Sequence, residues 1–275
     1  MSGRGRGPGW IAGAIVIVGY ALLPVAWIVS LSFKKGDDIA HRAFWPRAWT
    51  LDNYRAVLDT PLFTSALRNS IGISLVATAL SVVLATLAAY ALARLRFRGK
   101  KVALAIALAI AMFPVVSLVG SLFDIWRSVG LYDTWLGLVI PYMSFTLPLS
   151  LWILSAYFRE IPWELEEAAQ MDGATPWQTF RTVIVPLAAP GVFTAAILTF
   201  LFAWNDFVFG ISLTSTDRAR TVPAALAFFT GASNFEQPAG AISAAAVVVT
   251  LPVIAIVLVF QRRIVAGLTS GAVKG

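Results

Sequence analysis

The chain reads Glu164-Leu165-Glu166-Glu167-Ala168-Ala169-Gln170-Met171-Asp172-Gly173-Ala174 between two long apolar stretches. Glu164, Glu166, Glu167 and Asp172 are four of the fourteen acidic residues in a chain whose net charge is +7. Because charged side chains are costly inside a bilayer, no membrane-spanning helix accommodates four carboxylates in so short a run. The segment is therefore expected outside the hydrocarbon, with membrane spans before and after it.

Two short helices joined by a sharp turn are predicted, the first within residues 164–174 and the second starting at Thr175, and we call them together the elbow. Gly173 is suited to the left-handed conformation that ends a helix. Thr175, Pro176 and Gln178 have the spacing of a capping box with proline at the first helical position. The acidic residues lie near the N-terminus of the first helix, where the helix dipole favours negative charge. The pattern predicts a rigid surface feature that another protein can bind.

The composition is that of a membrane protein. Hydrophobic residues make up 59% of the chain and charged residues 13%, with a mean hydropathy of +0.79. The basic residues gather at the ends of apolar stretches, which argues against a nucleic-acid-binding surface. There is no cysteine, and the one histidine, His41, lies in a polar loop without companion ligands, so no metal site is predicted.

Six apolar stretches are each long enough to cross about 30 Å of hydrocarbon. They are residues 10–33, 69–93, 102–123, 135–158, 190–213 and 241–261. The resulting organisation is a tail at 1–9, a six-span domain at 10–265 with a long loop at about 159–190, and a tail at 266–275. Basic residues precede the first stretch, and it lacks a convincing signal-peptide cleavage site. It is therefore expected to be a retained membrane anchor.

The distribution of basic residues predicts the topology. The densest basic loop contains Arg94, Arg96, Arg98, Lys100 and Lys101. By the positive-inside rule this loop is cytoplasmic, and counting spans from it makes both termini and the elbow cytoplasmic too. Residues 34–68 and 214–240 are then expected outside.

Proline recurs within the predicted spans, where each ring removes a backbone donor and bends its helix. The residues are Pro24, Pro114, Pro141, Pro148 and Pro252. Prolines are commoner in membrane helices than in soluble ones. Five in one chain favour a bundle of bent helices around a path.

Titratable groups within the spans are scarce. Asp206 is the one acid plainly inside or near the end of a span, and a single carboxylate offers no second group for acid–base or metal chemistry. It lies either at an aromatic membrane interface beside Trp204 or on a polar path with Asn205. A phosphate-binding Gly-x-x-x-x-Gly-Lys-Ser/Thr loop is missing from the sequence. Nucleotide-driven transport would therefore need another chain to bind the nucleotide.

Several motifs resemble one family. Glu167-Ala168-Ala169, followed by Gly173 and then Pro186, is similar to the Glu-Ala-Ala loop of ABC importer permeases, with Val183 and Val185 as mild departures from its pattern. The flanking motifs resemble the carbohydrate branch of that family, of the maltose-permease smaller-subunit type. They are Ile161-Pro162, Pro186-Leu187, Trp204-Asn205-Asp206-Phe207, Leu51-Asp52-Asn53-Tyr54 and Asn69-Ser70. The resemblance covers residues 10–265.

The resemblance implies an all-α membrane protein with six transmembrane helices in the type I ABC importer permease fold and a cytoplasmic coupling helix. It implies a bacterial inner-membrane importer whose cargo is a disaccharide or oligosaccharide, with trehalose as the specific candidate. The partners would be a second, different permease, two ATPase subunits that bind ATP and Mg, an extracytoplasmic sugar-binding protein and membrane lipid. This chain itself would be non-catalytic, without a cofactor of its own.

Two sets of site residues follow. The ATPase-coupling set implied by the resemblance is Glu164, Glu166, Glu167, Ala168, Ala169, Asp172 and Gly173. Within it, Glu167 would form the ionic contact, the two alanines the close-packed face and Gly173 the turn. A sugar site combines aromatic faces with hydrogen-bonding groups. The spans offer Tyr142, Ser144, Phe145, Trp204, Asn205 and Asp206 for that role.

A different class remains open from the residues alone. An ion-coupled secondary carrier or a channel could carry the elbow as an ordered cytoplasmic loop and would need no ATPase. A membrane-embedded transferase is disfavoured because the sequence lacks carboxylate clusters at depth. Copurification of an ATPase and a second permease separates the importer from the carrier.

Overall fold

The computed structural model describes residues 8–41, 43–229 and 239–269, which form helices and short connections without any strand. The helices are α1 (Pro8–Ser32), α2 (Gly36–Ala40), α3 (Asp52–Leu58), α4 (Pro61–Arg94), α5 (Lys100–Ala111), α6 (Val115–Val129), α7 (Trp135–Glu160), α8 (Glu164–Met171), α9 (Pro176–Thr179), α10 (Val185–Leu187), α11 (Ala189–Asn205), α12 (Val208–Leu213), α13 (Val222–Ala227) and α14 (Ala239–Thr269). A π-helical turn, Phe180–Ile184, joins α9 to α10. The predicted all-α class is confirmed.

Within the described residues, α1, α4, α7 and α14 are each long and apolar enough to cross a membrane. Two more candidates are bent pairs: α5 with α6, at an angle of 89°, and the helical segment Pro176–Leu187 with α11, at 72°. If each pair counts as one span, the total is six. The predicted span 102–123 is therefore not a single continuous helix. The predicted span 190–213 is interrupted as well, because α11 ends at Asn205 and α12 begins at Val208.

The interruptions of these two predicted spans have local causes. Pro114 lies just before α6 in an extended conformation, with ψ of 116°, because a proline ring does not fit the interior of a continuous helix. Between α11 and α12 Asp206 is extended, with ψ of 127°, and its carboxylate accepts the backbone N–H of Gly210 at 3.0 Å. Asp206 thereby ends α11 and caps the separate helix α12.

The helices group into two compact units. One comprises the described parts of residues 1–64 and 226–252. In this unit Asn53 donates to the carbonyls of Ser32 and Lys34, at 2.9 and 2.8 Å, at the end of α1. A Cβ atom on Gly240 would lie only 2.8 Å from the Asn53 amide, so the start of α14 approaches this residue closely. The Leu51-Asp52-Asn53-Tyr54 motif thus satisfies carbonyls that the helix leaves free.

The other unit comprises residues 65–225 and the described part of 253–275. Its core lies along α4 and α7, where Ser81 and Thr146 share a buried hydrogen bond of 2.9 Å. Ser150 and Thr199 form a similar bond of 2.9 Å between α7 and α11. Apolar residues at one end of this core pack around Tyr142. Those at the other end pack around Phe158, Phe180 and Ile184.

Candidate functional site

The first helix of the elbow ends in a Schellman motif. Gly173 has a φ of +84°, which residues with a Cβ atom rarely adopt. Its N–H donates to the Gln170 carbonyl at 3.0 Å, and the Ala174 N–H donates to the Ala169 carbonyl at 3.0 Å. The predicted left-handed stop at Gly173 is confirmed.

The second helix of the elbow begins with the predicted capping box. The Thr175 hydroxyl accepts the Gln178 N–H at 3.3 Å, and the Gln178 side-chain oxygen accepts the Thr175 N–H at 2.8 Å. Pro176 occupies the first helical turn, where its missing N–H has no intrahelical role. Both ends of the turn are thus fixed by local hydrogen bonds, and the elbow is a defined shape.

The structure divides the acidic residues of the elbow into two groups. Glu164, Glu167 and Asp172 are exposed, whereas the side chain of Glu166 faces inward and the residue is 3% exposed. Ala168 is exposed and Ala169 is half-buried. The coupling set predicted from sequence therefore consists of residues that are at least partly accessible at the surface, except for Glu166, which is buried.

Large apolar side chains accompany the exposed acids. Met171 is 88% exposed and Trp177 is 60% exposed, one on each helix of the elbow. Sequence reasoning did not include either residue in the coupling set. Their position on both sides of the Gly173 turn is the signal that could have found them.

Glu166 is held by residues of α4. Its Oε1 atom lies 2.9 Å from the Nε atom of Arg94, and both side chains are nearly inaccessible to solvent. The Tyr90 hydroxyl donates to the other carboxylate oxygen at 3.2 Å. No local pattern pairs residues in such distant parts of the chain, so the sequence did not reveal this cluster.

Tyr142 and Asp206, two of the proposed path residues, are brought together. The Tyr142 hydroxyl donates to the Asp206 carboxylate at 2.9 Å, and Tyr142 is fully buried. Asp206 also accepts backbone N–H groups at the start of α12. The Asp206 carboxylate, for which the sequence shows no partner, is therefore paired with a tyrosine. Its contacts with backbone N–H groups also stabilise the start of α12.

The other path residues separate into different environments. Ser144 and Phe145 line a pocket of about 190 Å³ between α6, α7 and α12, whose lining is mostly apolar. Trp204 is 2% exposed and stacks on Phe200 at a centroid distance of 5.6 Å. Asn205 is exposed, and its amide donates to the carbonyl four residues earlier at 2.7 Å. The structure thus does not gather the six residues into one site within this chain.

Within the described residues, no group of three or more His, Cys, Asp or Glu side chains could hold a metal ion. The site offers instead a rigid acidic and apolar surface on the elbow, and a polar pair next to a small pocket.

The fold, the elbow and the membrane helices together define a class. The family of inner membrane components of binding-protein-dependent transport systems matches residues 61–270, and the chain belongs to this family. It is a multi-pass membrane protein with the type I fold predicted from its motifs.

Individual relatives match almost the whole chain. It is 58% identical to the trehalose transport system permease protein SugB of Mycobacterium tuberculosis, over 99% of this chain and 100% of that protein. It is 42% identical to the trehalose/maltose transport system permease protein MalG of Thermococcus litoralis, over 96% of each. Among solved structures it resembles a chain of a bacterial ABC transporter that imports the acidic polysaccharide alginate. The TM-score is 0.81 at 25% identity, over 95% of this chain and 98% of that one.

Proposed function

We propose that this chain is a permease subunit of an ATP-driven sugar importer and forms half of the path for a disaccharide or oligosaccharide. The observation that carries the proposal is the elbow, a capped and rigid surface that joins acidic groups to large exposed apolar side chains. The 58% identity to a trehalose permease over the full chain supports trehalose as the cargo.

The elbow has the chemistry of a docking surface for an ATPase. Glu167 is exposed and free to form a charge-assisted contact with an arginine or lysine of the partner. Ala168, next to it, lets a partner approach the helix closely. Met171 and Trp177 expose apolar surface that is better buried against a protein than left in water. Glu164 and Asp172 add negative charge at the margin, and Gly173 sets the angle between the two helices.

Glu166 supports this surface from beneath. Its carboxylate is buried against Arg94, so it acts on the partner through the position of α8. Ala169, on the same helix, is half-buried.

The remaining partners follow from what this chain lacks. It has no phosphate-binding loop, so two ATPase subunits bind ATP and Mg and carry out the hydrolysis. A second, different permease completes the path, because Ser144 and Phe145 line a pocket too apolar to hold a hydroxyl-rich sugar unaided. An extracytoplasmic sugar-binding protein delivers the cargo.

The orientation follows from the basic loop. Residues 95–99 and the elbow are on the cytoplasmic side of the plasma membrane, together with both termini. The connections at 34–60 and 214–221 are on the outer side. The ATPases therefore meet the elbow in the cytoplasm.

Purification of the tagged chain from native membranes tests the proposal. An ATPase, a second permease and a binding protein are expected to copurify, and the complex in liposomes should import trehalose only with ATP. An ionophore that collapses ion gradients serves as the control and should leave this uptake unchanged. Uptake that follows an ion gradient without an ATPase would establish a secondary carrier instead.

A further inference from the structure

Two opposite charges are buried where α4 meets the elbow. Arg94 is the last residue of α4, and Glu166 lies in the first turn of α8. Their side chains are 6% and 4% exposed, and Nε and Oε1 are 2.9 Å apart. This is the closest ion pair in the described part of the chain and the one with both partners buried.

Arg94 holds more than Glu166. Its Nη2 atom donates to the Ile161 carbonyl at 2.6 Å, and its guanidinium lies 5.1 Å from the centre of the Trp163 ring. One side chain thus contacts three points at the start of the elbow. Tyr90, one helical turn earlier on α4, donates to the second oxygen of Glu166 at 3.2 Å. The geometry fixes both the position and the rotation of α8 relative to the end of α4.

Net stability does not explain such an arrangement. The free-energy cost of desolvating two charges is about as large as their Coulombic attraction. Replacing such a pair with well-packed apolar residues often leaves the folded state equally stable or more stable. Arg94 supplies directional geometry through the Nη2 bond to the Ile161 carbonyl, whereas its Nε atom and Glu166 Oε1 are close without hydrogen-bond alignment. The cluster is therefore suited to holding two helices in one relative position.

The elbow is connected by the chain to α7, which contains Pro141 and Pro148, and to α11, and it is connected by side-chain contacts to α4. Toward α11, the chain passes through the π-helical turn Phe180–Ile184 and a bend of 72°. Toward α4, the contact is direct, and α4 continues without an internal proline or a break for 34 residues. A displacement of α8 is better transmitted along the uninterrupted helix than through a bend.

The far part of α4 holds the connection between α12 and α13. The Asn69 amide donates to the Asp217 and Arg220 carbonyls, at 2.9 and 3.1 Å, and the Ser70 hydroxyl accepts the Val222 N–H at 2.8 Å. Twenty-five residues of helix separate Asn69 from Arg94, a length of roughly 37 Å at 1.5 Å per residue. One rigid element thus joins the elbow to the connection that lies outside in the proposed topology.

We propose that Arg94 and Glu166 are positioning residues that transmit movement of the docked elbow into α4 and so to the outer connection. The inference rests on the proposed function, in which the elbow docks on an ATPase. Loss of the pair should leave docking intact and weaken the link between ATP hydrolysis and sugar import.

The test uses the assembled importer in liposomes and compares the parent with Arg94→Met/Glu166→Met, in which both charges are replaced by apolar groups. Two quantities are measured: the ATPase retained per permease, and the trehalose imported per ATP hydrolysed. The double variant should retain the ATPase, while import per ATP falls by about five-fold or more, the lower end of typical coupling factors. Glu160→Gln, which changes an exposed acid just before the elbow, should match the parent in both.

A purely structural pair predicts a different result. The double variant would then assemble less well, but each assembled complex would import the parental amount of sugar per ATP, and this outcome overturns the proposal. Arg94→Lys keeps the charge and loses the planar guanidinium. If the double variant fails to assemble, sugar import per ATP is measured in Arg94→Lys instead. Parental import per ATP in Arg94→Lys would then reject transmission through Arg94 and Glu166. A parent complex without ATP-driven uptake would instead reject the proposed function, and the link with it.

Discussion

The indole nitrogen of Trp126 donates a hydrogen bond of 2.7 Å to the carbonyl oxygen of Gly137. Gly137 lies four residues before Pro141, so the proline ring deprives this carbonyl of its helical partner. The lost intrahelical bond is replaced from α6. A Cβ atom on Gly137 would lie 2.1 Å from the Leu131 carbonyl oxygen, which explains the glycine at this close approach.

Replacing Trp126 with phenylalanine should lower the stability of the membrane domain. The ring volume is largely kept, but a buried carbonyl at the kink loses its donor, at a cost of about 1–3 kcal/mol. Thermal unfolding of the purified protein in detergent measures the effect. Trp152→Phe is the matched control because Trp152 is 52% exposed on the same helix pair. An equal melting temperature for Trp126→Phe and the control would contradict this assignment.

Substitutions at Gly173 should separate backbone conformation from side-chain size. Gly173→Val places a β-branched residue at a φ of +84° and should destabilise the elbow by about 1–3 kcal/mol. Gly173→Asn should retain most of the function, since asparagine tolerates this conformation. The measurement is ATP turnover stimulated by the binding protein with sugar. The idea fails if asparagine and valine are equally harmful.

Glu167→Lys should release the ATPase. It places a positive charge where we expect the partner to present one, and loss of a desolvated charge pair costs about 2–5 kcal/mol of binding free energy. The affinity of the ATPase for the permease should therefore fall about thirty-fold or more. The assay is copurification at graded salt concentrations. Arg159→Glu, an exposed charge reversal outside the elbow, should bind as the parent does.

Asn205 and Tyr142 should affect different properties. Asn205 is exposed, so Asn205→Ala should slow sugar uptake about two- to ten-fold, the value of one neutral hydrogen bond, and leave assembly intact. Tyr142→Phe removes the donor to the half-buried carboxylate of Asp206 and should lower the melting temperature. Uptake by assembled complexes and thermal unfolding are measured for both. Parental uptake in Asn205→Ala would place the sugar path on other residues.

Single cysteines should report the topology without background, because the chain has no cysteine. A cysteine at exposed Arg98 should be labelled by a membrane-impermeant maleimide only after the cells are opened. A cysteine at exposed Arg218 should be labelled in intact cells. The reverse pattern would invert the proposed orientation.

Much of the local structure could be predicted because it depends on neighbouring residues. The stop at Gly173 and the capping box at Thr175 involve groups within five positions of each other, and both predictions are confirmed. Four of the six predicted apolar stretches coincide with single helices that are long and apolar enough to cross a membrane. Spans 102–123 and 190–213 were wrong as continuous helices, because length and hydropathy do not reveal a break at Pro114 or a cap at Asp206.

The sequence by itself determined an all-α membrane protein and a capped acidic elbow, since hydropathy and helix capping are properties of short segments. Only the tertiary structure decided which acid of the elbow is buried. Consecutive residues of a helix differ in direction by about 100°, so Glu166 and Glu167 face different sides, and acids occupy both. The side of α8 that is buried is the one that contacts Arg94 of α4. The same holds for Tyr142 and Asp206, 64 residues apart, because burial of a polar group is tolerated only where the fold supplies its partner.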